Sequence, residues 1–199
     1  MFYDAITNHH GLPHDPYKSL VAPRPIGWIS SLDKDGNANL APYSFFNGVG
    51  NNPHIVMFSS DGYKDSIKNV EETGEFVCSL ATWDLRDAMN MTSTPAPHGQ
   101  SEFDIAGLTP VASTMVKPPR VGESPAALEC VYLQTVHMHD KDGKPASYRA
   151  VFGQVVGIHI DDDALTDGLF DTNRAKLLTR LGYMEYAKVD EVFTMRRPG

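Results

Sequence analysis

Three serines and a lysine crowd the stretch SSDGYKDS, residues 59–66, where a strand-like run ends in two hydroxyls and passes through a glycine turn into a helix-like run. Helix N-termini present unpaired backbone N–H groups and a partial positive charge, which suits them to phosphate. Lys64 would add a full charge, and Ser59, Ser60 and Ser66 would add donors. The same residues also suit a plain helix start, with Asp65 or Ser66 as N-cap and Lys64 in solvent. A second stretch, NLAPYSFFNGVGNNP at 39–53, lends the phosphate reading support. Its Asn39, Asn47, Asn51 and Asn52 offer amide donors and acceptors, Gly48 and Gly50 let backbone approach a ligand, and Tyr43, Phe45 and Phe46 supply flat apolar surface. Those are the needs of a planar heteroaromatic ligand. A hairpin exit with Phe45 and Phe46 in the core and the asparagines in turns accounts for the same letters.

Other reactive side chains carry less. His137 and His139 alternate along a strand-like run, so both imidazoles would share a face, and His9, His10 and His14 cluster near the start. No third ligand follows His137 and His139 at a usual spacing, the N-terminal histidines lie in a proline-broken segment, and no metal is expected. Cys78 in EFVCSL and Cys130 in LECVYL sit in apolar runs, where a thiol serves as a small core residue. A Gly-x-Gly-x-x-Gly motif is absent, which argues against a Rossmann-type nicotinamide domain.

The elements that must position these residues belong to one domain spanning 1–199. A chain of 199 residues with 41% hydrophobic content can bury one substantial core. The net charge is -8 and the longest basic run is Arg196–Arg197, so neither nucleic acid nor an anionic membrane surface is an expected partner. The first residues, MFYDAITNHHGLPHDP, lack a basic start followed by an apolar run, and nothing approaches the roughly 20 apolar residues that span a bilayer. A soluble, cytoplasmic protein is expected.

Most of the chain reads as short strands between turn signals. Residues 26–32 and 37–44 flank DKDG, a hairpin turn; 54–60 and 75–81 are further strands, with a short helix from Asp65 to the stop signal Gly74 between them. TWDLRDAMNMTS carries helical spacing at Leu85 and Met89. A proline-rich excursion over 91–125 follows, for which substrate control is the expected role. Two long arms, 126–139 and 147–160, flank a second Asp-Gly turn in DKDGKP; AKLLTRLG reads as a short helix and EVFTMRR as a closing strand. Together these predict a mostly β, antiparallel barrel with a few short α-helices.

The runs RPIGWISSLDKDGNANLAPYSFFNGVGNNPHIVMFSS, KDSIKNVEETGEFVCSLAT, SEFDIAGLTPVAST and RLGYMEYAKVDEVFTMRRP resemble, in that order, the flavin reductase-like, FMN-binding split-barrel proteins. The resemblance covers about Arg24 to Pro198, and NLAPYSFFN followed closely by KDS is its most specific part. It implies a six-stranded antiparallel split barrel, a homodimer, and FMN in a groove near the subunit interface. It further implies that Trp28, Ser30 and Ser31 run beside the flavin ring. Backbone groups of Ala41, Pro42 and Phe45 and the side chains of Ser44 and Asn47 would meet the ring's polar edge, and Ser59, Ser60, Lys64 and Ser66 would take the phosphate. Arg180 and Tyr186 are further candidates in RLGYMEY, where Tyr183 stands in place of a second glycine common in the family.

The activity so implied is hydride transfer from NAD(P)H to flavin, with reduced flavin supplied to a monooxygenase. The alternative is an FMN-binding electron-transfer flavoprotein without nicotinamide activity. Hydride transfer needs alignment of two rings and little proton chemistry from the protein, so no catalytic side chain is expected, and Glu102 and Asp104 read as groups that cap and solvate the excursion.

Overall fold

Two hairpins turned by the same four residues, Asp-Lys-Asp-Gly, frame the molecule. In the computed structural model, which describes residues 1–96 and 100–198, β1 (Gly27–Leu32) and β2 (Ala38–Tyr43) pair antiparallel around the first of them. Asp33 Oδ1 accepts from the N–H groups of Asp35 and Asn37, and Gly36 takes a φ of 86° that a side chain would disfavour. Asp140 repeats this with Asp142 and Lys144, with Gly143 at φ 81°.

The other strands are β3 (Phe46–Asn51), β4 (His54–Asp61), β5 (Glu75–Leu80), β6 (Ala126–His139) and β7 (Pro145–Ile160). They form one antiparallel sheet in the order β2-β1-β5-β6-β7-β4-β3, seven strands where six were expected. The strands at its two ends, β2 and β3, are consecutive in the chain and separated only by Ser44 and Phe45. Two residues reach so short a distance that the sheet must curl until its edges meet. They meet without a ladder: Phe45 O accepts from Ser59 N at 2.7 Å and the Tyr43 and Phe58 rings lie 5.0 Å apart. That is a split barrel.

Helix α1 (Asp65–Thr73) plugs the barrel with Ile67 and Val70, which join Ile29, Phe58 and Phe76 in the first core cluster. It ends at Gly74, whose N–H reaches Val70 O at φ 79°. Its N-cap is Lys64, in extended conformation and without a side-chain cap, so the expected capping by Asp65 or Ser66 is corrected: both residues lie inside the first turn. Helices α2 (Arg86–Met91) and α3 (Glu102–Ala106) lie on the other face, over a second cluster of Trp28, Leu40, Met89, Phe103, Leu108 and Val121. Alternate residues of β1 serve both clusters, Ile29 one and Trp28 the other, so the strand is covered on both faces. Cys78 and Cys130 are free, buried thiols, and Cys78 is raised well above its usual range by burial and by the neighbouring Cys130.

Two expectations near the C-terminus are corrected. AKLLTRLG is not a helix: a short turn of helix at Thr172–Ala175, capped by Asp171, ends at Lys176 in the left-handed region, and Leu178–Arg180 is a strand between Arg24–Pro25 and Tyr186–Lys188. Burial of Leu178 and pairing with Arg24–Pro25 override the helical spacing. EVFTMRR forms no strand; Val192, Phe193 and Met195 are exposed, and these residues make no ladder. Among the described residues no helix is long and apolar enough to cross a membrane.

Candidate functional site

A cleft of about 1070 Å³ opens along the free edge of β2. One wall is β2 itself with the Asp33–Asn37 turn. The second is the first turn of α1, and the third is the start of the excursion at 92–96 and 100–104. On β2, Asn39, Ala41 and Tyr43 share one face by alternation, which places Asn39 against α1. Asn39 Nδ2 donates to Ser66 Oγ at 2.8 Å, and Ser66 is almost wholly buried. An oxygen that already accepts keeps its own proton to give. Tyr43 lies beside the Ser66 and Ser60 hydroxyls; burial pushes its phenol up against their opposing effect, which keeps it neutral and able to donate.

The first intrahelical bond of α1 runs from Lys68 N to Lys64 O, so the N–H groups of Asp65, Ser66 and Ile67 have no partner within the helix. Lys64 and Lys68 line the cleft, both are exposed, and among the described residues neither forms an ion pair. Two ammonium groups, a helix terminus and a hydroxyl thus converge at one end. The acids that also line the cleft include two already engaged. Asp33 closes its own turn, and Glu102 Oε2 accepts from Leu40 N at 2.9 Å.

The structure brings Ala41, Pro42, Lys64 and Ser66 together on the cleft surface. Trp28, Ser30 and Ser31 stand behind it, fully buried, because β1 is covered on both faces. Trp28 Nε1 donates to Thr92 Oγ1 at 2.9 Å and Ser31 Oγ accepts from Asn69 Nδ2 at 3.3 Å; Thr92 and Asn69 are themselves wall residues. Ser30 donates to Pro119 O. Ser44 and Phe45 continue β2 beyond the lining residues, and the Phe45 ring lies 5.9 Å from Tyr148 and 5.7 Å from the Arg24 guanidinium. Asn47 is exposed on β3, its Oδ1 taken by Gly48 N. Ser59 is half-buried near the end of β4, where its N–H reaches Phe45 O, and Ser60 is buried near Tyr43; neither lines the cleft. Arg180 stacks on Tyr186 at 4.3 Å, away from the cleft, and Tyr183 adopts the φ of 50° that a glycine would take there.

Sequence reasoning passed over Lys68, Asn69 and Thr92, and took Tyr43 only as apolar surface. Lys68 was findable, since four residues from Lys64 is one helical turn. Thr92 and Asn69 carry no such signal.

The flavin reductase like domain family matches residues 20–178. An uncharacterized protein of Aquifex aeolicus is 36% identical over 175 residues, covering 85% of this chain and 86% of that protein. Among solved structures, nitrilotriacetate monooxygenase component B from Bacillus cereus superposes with a TM-score of 0.87 at 30% identity, over 98% of each chain. The 2-nitrobenzoate 2-nitroreductase of Pseudomonas fluorescens has the same fold, with a TM-score of 0.86 at 23% identity over 100% of this chain and 96% of that one.

Proposed function

Since the chain belongs to the flavin reductase-like domain family, we propose that it is an FMN-binding oxidoreductase that draws a hydride from NADH or NADPH and passes the reducing equivalents to free flavin or to a partner monooxygenase. The observation that carries this reading is the convergence of Lys64, Ser66, Lys68 and the open first turn of α1 at one end of a cleft whose other wall is a bare strand edge. FMN, when bound, supplies the hydride-accepting and electron-donating chemistry.

The donor set fits such a group. The two ammonium ions and the N–H groups of the first turn suit a phosphate dianion, and Ser66, with its acceptor side occupied by Asn39, has its proton to give. By the alternation of the strand, Leu40 and Pro42 turn their backbone groups away from the ladder, so the Pro42 carbonyl stands at the edge of β2 beside Ala41, where a donor of the ring would lie; Pro42 carries no N–H, so a strand edge tolerates it there. Ser44 and Phe45 extend that edge as further ring contacts, and Asn47 would add its side-chain amide from the start of β3. Trp28, Ser30 and Ser31 act from behind the wall, and Ser60, with Ser59 next to it on β4, acts through the Tyr43 phenol that lines the cleft. The cleft lies just above the roughly 300–1,000 Å³ usual for small-molecule sites.

A homodimer belongs to the same proposal. Leu133 and Val136 on β6 and Val156, Ile158 and Ile160 on β7 are exposed apolar side chains on the long hairpin, a surface suited to a second copy. The Bacillus cereus relative is by name a monooxygenase component, which favours a monooxygenase as the consumer of reducing equivalents.

The test is the visible spectrum of the purified protein, followed by oxidation of NADH and NADPH with and without added FMN. Flavin absorption together with nicotinamide oxidation faster than FMN alone is expected. Flavin bands without that oxidation would leave an electron-transfer flavoprotein, and a protein colourless after incubation with FMN would overturn the reading.

A further inference from the structure

We propose that Glu102 is a positioning residue: its carboxylate latches the start of the excursion onto the free edge of β2 and so sets the width of the cleft. Leu40 is fully buried on an edge strand, and its N–H points away from the ladder with β1. A buried N–H left unpaired costs about as much as a lost hydrogen bond, and Glu102 Oε2 meets it at 2.9 Å. The residues on either side complete the attachment. Ser101 Oγ accepts from Phe103 N as the cap of α3, and Phe103, 1% exposed, enters the cluster of Trp28 and Leu40. Cap, latch and apolar anchor therefore fall on three consecutive residues.

The rest of the excursion is fastened by the same device. Glu129 takes the N–H groups of Thr114, Met115 and Val116, and Glu75 takes that of Lys117. Of the three carboxylates, Glu102 is the one that lines the cleft, opposite the first turn of α1. Its neighbours Ser101 and Asp104 line it too, so the distance between the walls depends on this contact. Reach rather than charge makes the latch: an acceptor oxygen on a side chain of glutamate's length spans from α3 to the strand edge, and one methylene fewer would not.

Two variants separate reach from charge. Glu102→Gln keeps the length and an acceptor oxygen, whereas Glu102→Asp keeps the charge and loses the reach. In amide hydrogen exchange of the free protein, Leu40 should exchange on the order of tenfold faster in Glu102→Asp and stay slow in Glu102→Gln. Faster exchange in the glutamine variant alone, or no change in either, would overturn the latch. A second arm rests on the proposed FMN site: FMN should leave Glu102→Asp several-fold faster than Glu102→Gln in stopped-flow measurements. Failure of the natural protein to bind FMN sinks the functional reading and leaves the exchange arm to decide the latch. FMN binding with equal release from both variants means that the latch does not shape the cleft.

Discussion

Asn39 on β2 and Ser66 on the first turn of α1 are joined by a single hydrogen bond of 2.8 Å, and that bond decides which way the Ser66 proton can go. The amide donates, so the hydroxyl is left to donate in turn. Asn39→Asp keeps the shape and reverses the polarity: a carboxylate would accept the Ser66 hydrogen bond, leaving the hydroxyl no proton to give a phosphate, and would add a negative charge at the cationic end. FMN affinity, read by fluorescence titration, should fall by roughly tenfold or more while riboflavin affinity changes little. Equal losses for both ligands would place the phosphate elsewhere.

The cationic end makes a separate prediction. Lys64→Ala combined with Ser66→Ala should weaken FMN binding far more than riboflavin binding, and adding Lys68→Ala should weaken it again. Because both lysines are exposed, the lysine contribution should shrink as salt rises from about 10 to 500 mM. A loss independent of ionic strength would assign the effect to packing.

Stability in acid depends on Glu129. Its carboxylate is fully buried, which alone would raise its pKa. The N–H of Thr114, the His159 imidazole and the N–H of Met115 outweigh burial and hold it below the usual carboxylate range. A folded pKa below the unfolded value of about 4.3 contributes stability that is present above that pH and is lost as pH falls through the folded value. Melting temperatures between about pH 7 and 3 should therefore fall more steeply for the natural protein than for Glu129→Gln. At pH 7 the variant should be less stable by roughly 2 kcal/mol. Parallel acid limbs would rule out Glu129 as the group responsible.

The hairpin surface gives an assembly prediction. Ile158, 54% exposed on β7, is the most exposed of the apolar residues assigned to a second copy. Ile158→Asp should convert a dimer to a monomer in light scattering without unfolding it, since the side chain lies outside the core. A natural protein that is monomeric at micromolar concentration excludes the homodimer.

How far these sites could be read from the letters follows from the range of the interactions. The two Asp-Lys-Asp-Gly turns are local, since Asp33 and Asp140 bond to residues two and four positions on, and they announced their hairpins. Lys64 and Ser66 were legible because a helix start carries its own signal. β3 was not: FNGVGN, rich in glycine and asparagine, has poor strand propensity and is extended because β4 pairs with it. AKLLTRLG misled for the same reason, its partner Arg24–Pro25 lying some 150 residues away. Glu102 read as a solvated acid because its partner is a backbone N–H, and no letter marks a strand edge as unpaired.

Gly153 on β7 supplies the last prediction, on the core that holds the cleft walls together. A Cβ there would lie 2.4 Å from Cε1 and Cζ of Phe76, well inside contact distance, and the Val131 carbonyl closes the other side at 3.3 Å. Phe76 is fully buried and stacks edge-on to Phe58 at 5.6 Å, so it has nowhere to withdraw without disturbing Ile67 and Val70 of α1. Gly153→Ala should therefore destabilise the protein by about 1–3 kcal/mol in urea unfolding, the usual effect of forcing a methyl into a filled core. The compensating change is Phe76→Leu, which removes the ring atoms the methyl strikes. In the Phe76→Leu background the same glycine substitution should be nearly neutral, a coupling of roughly 1–2 kcal/mol. Additive losses would mean that the glycine is required for backbone freedom in β7 and not for the ring that lies on it.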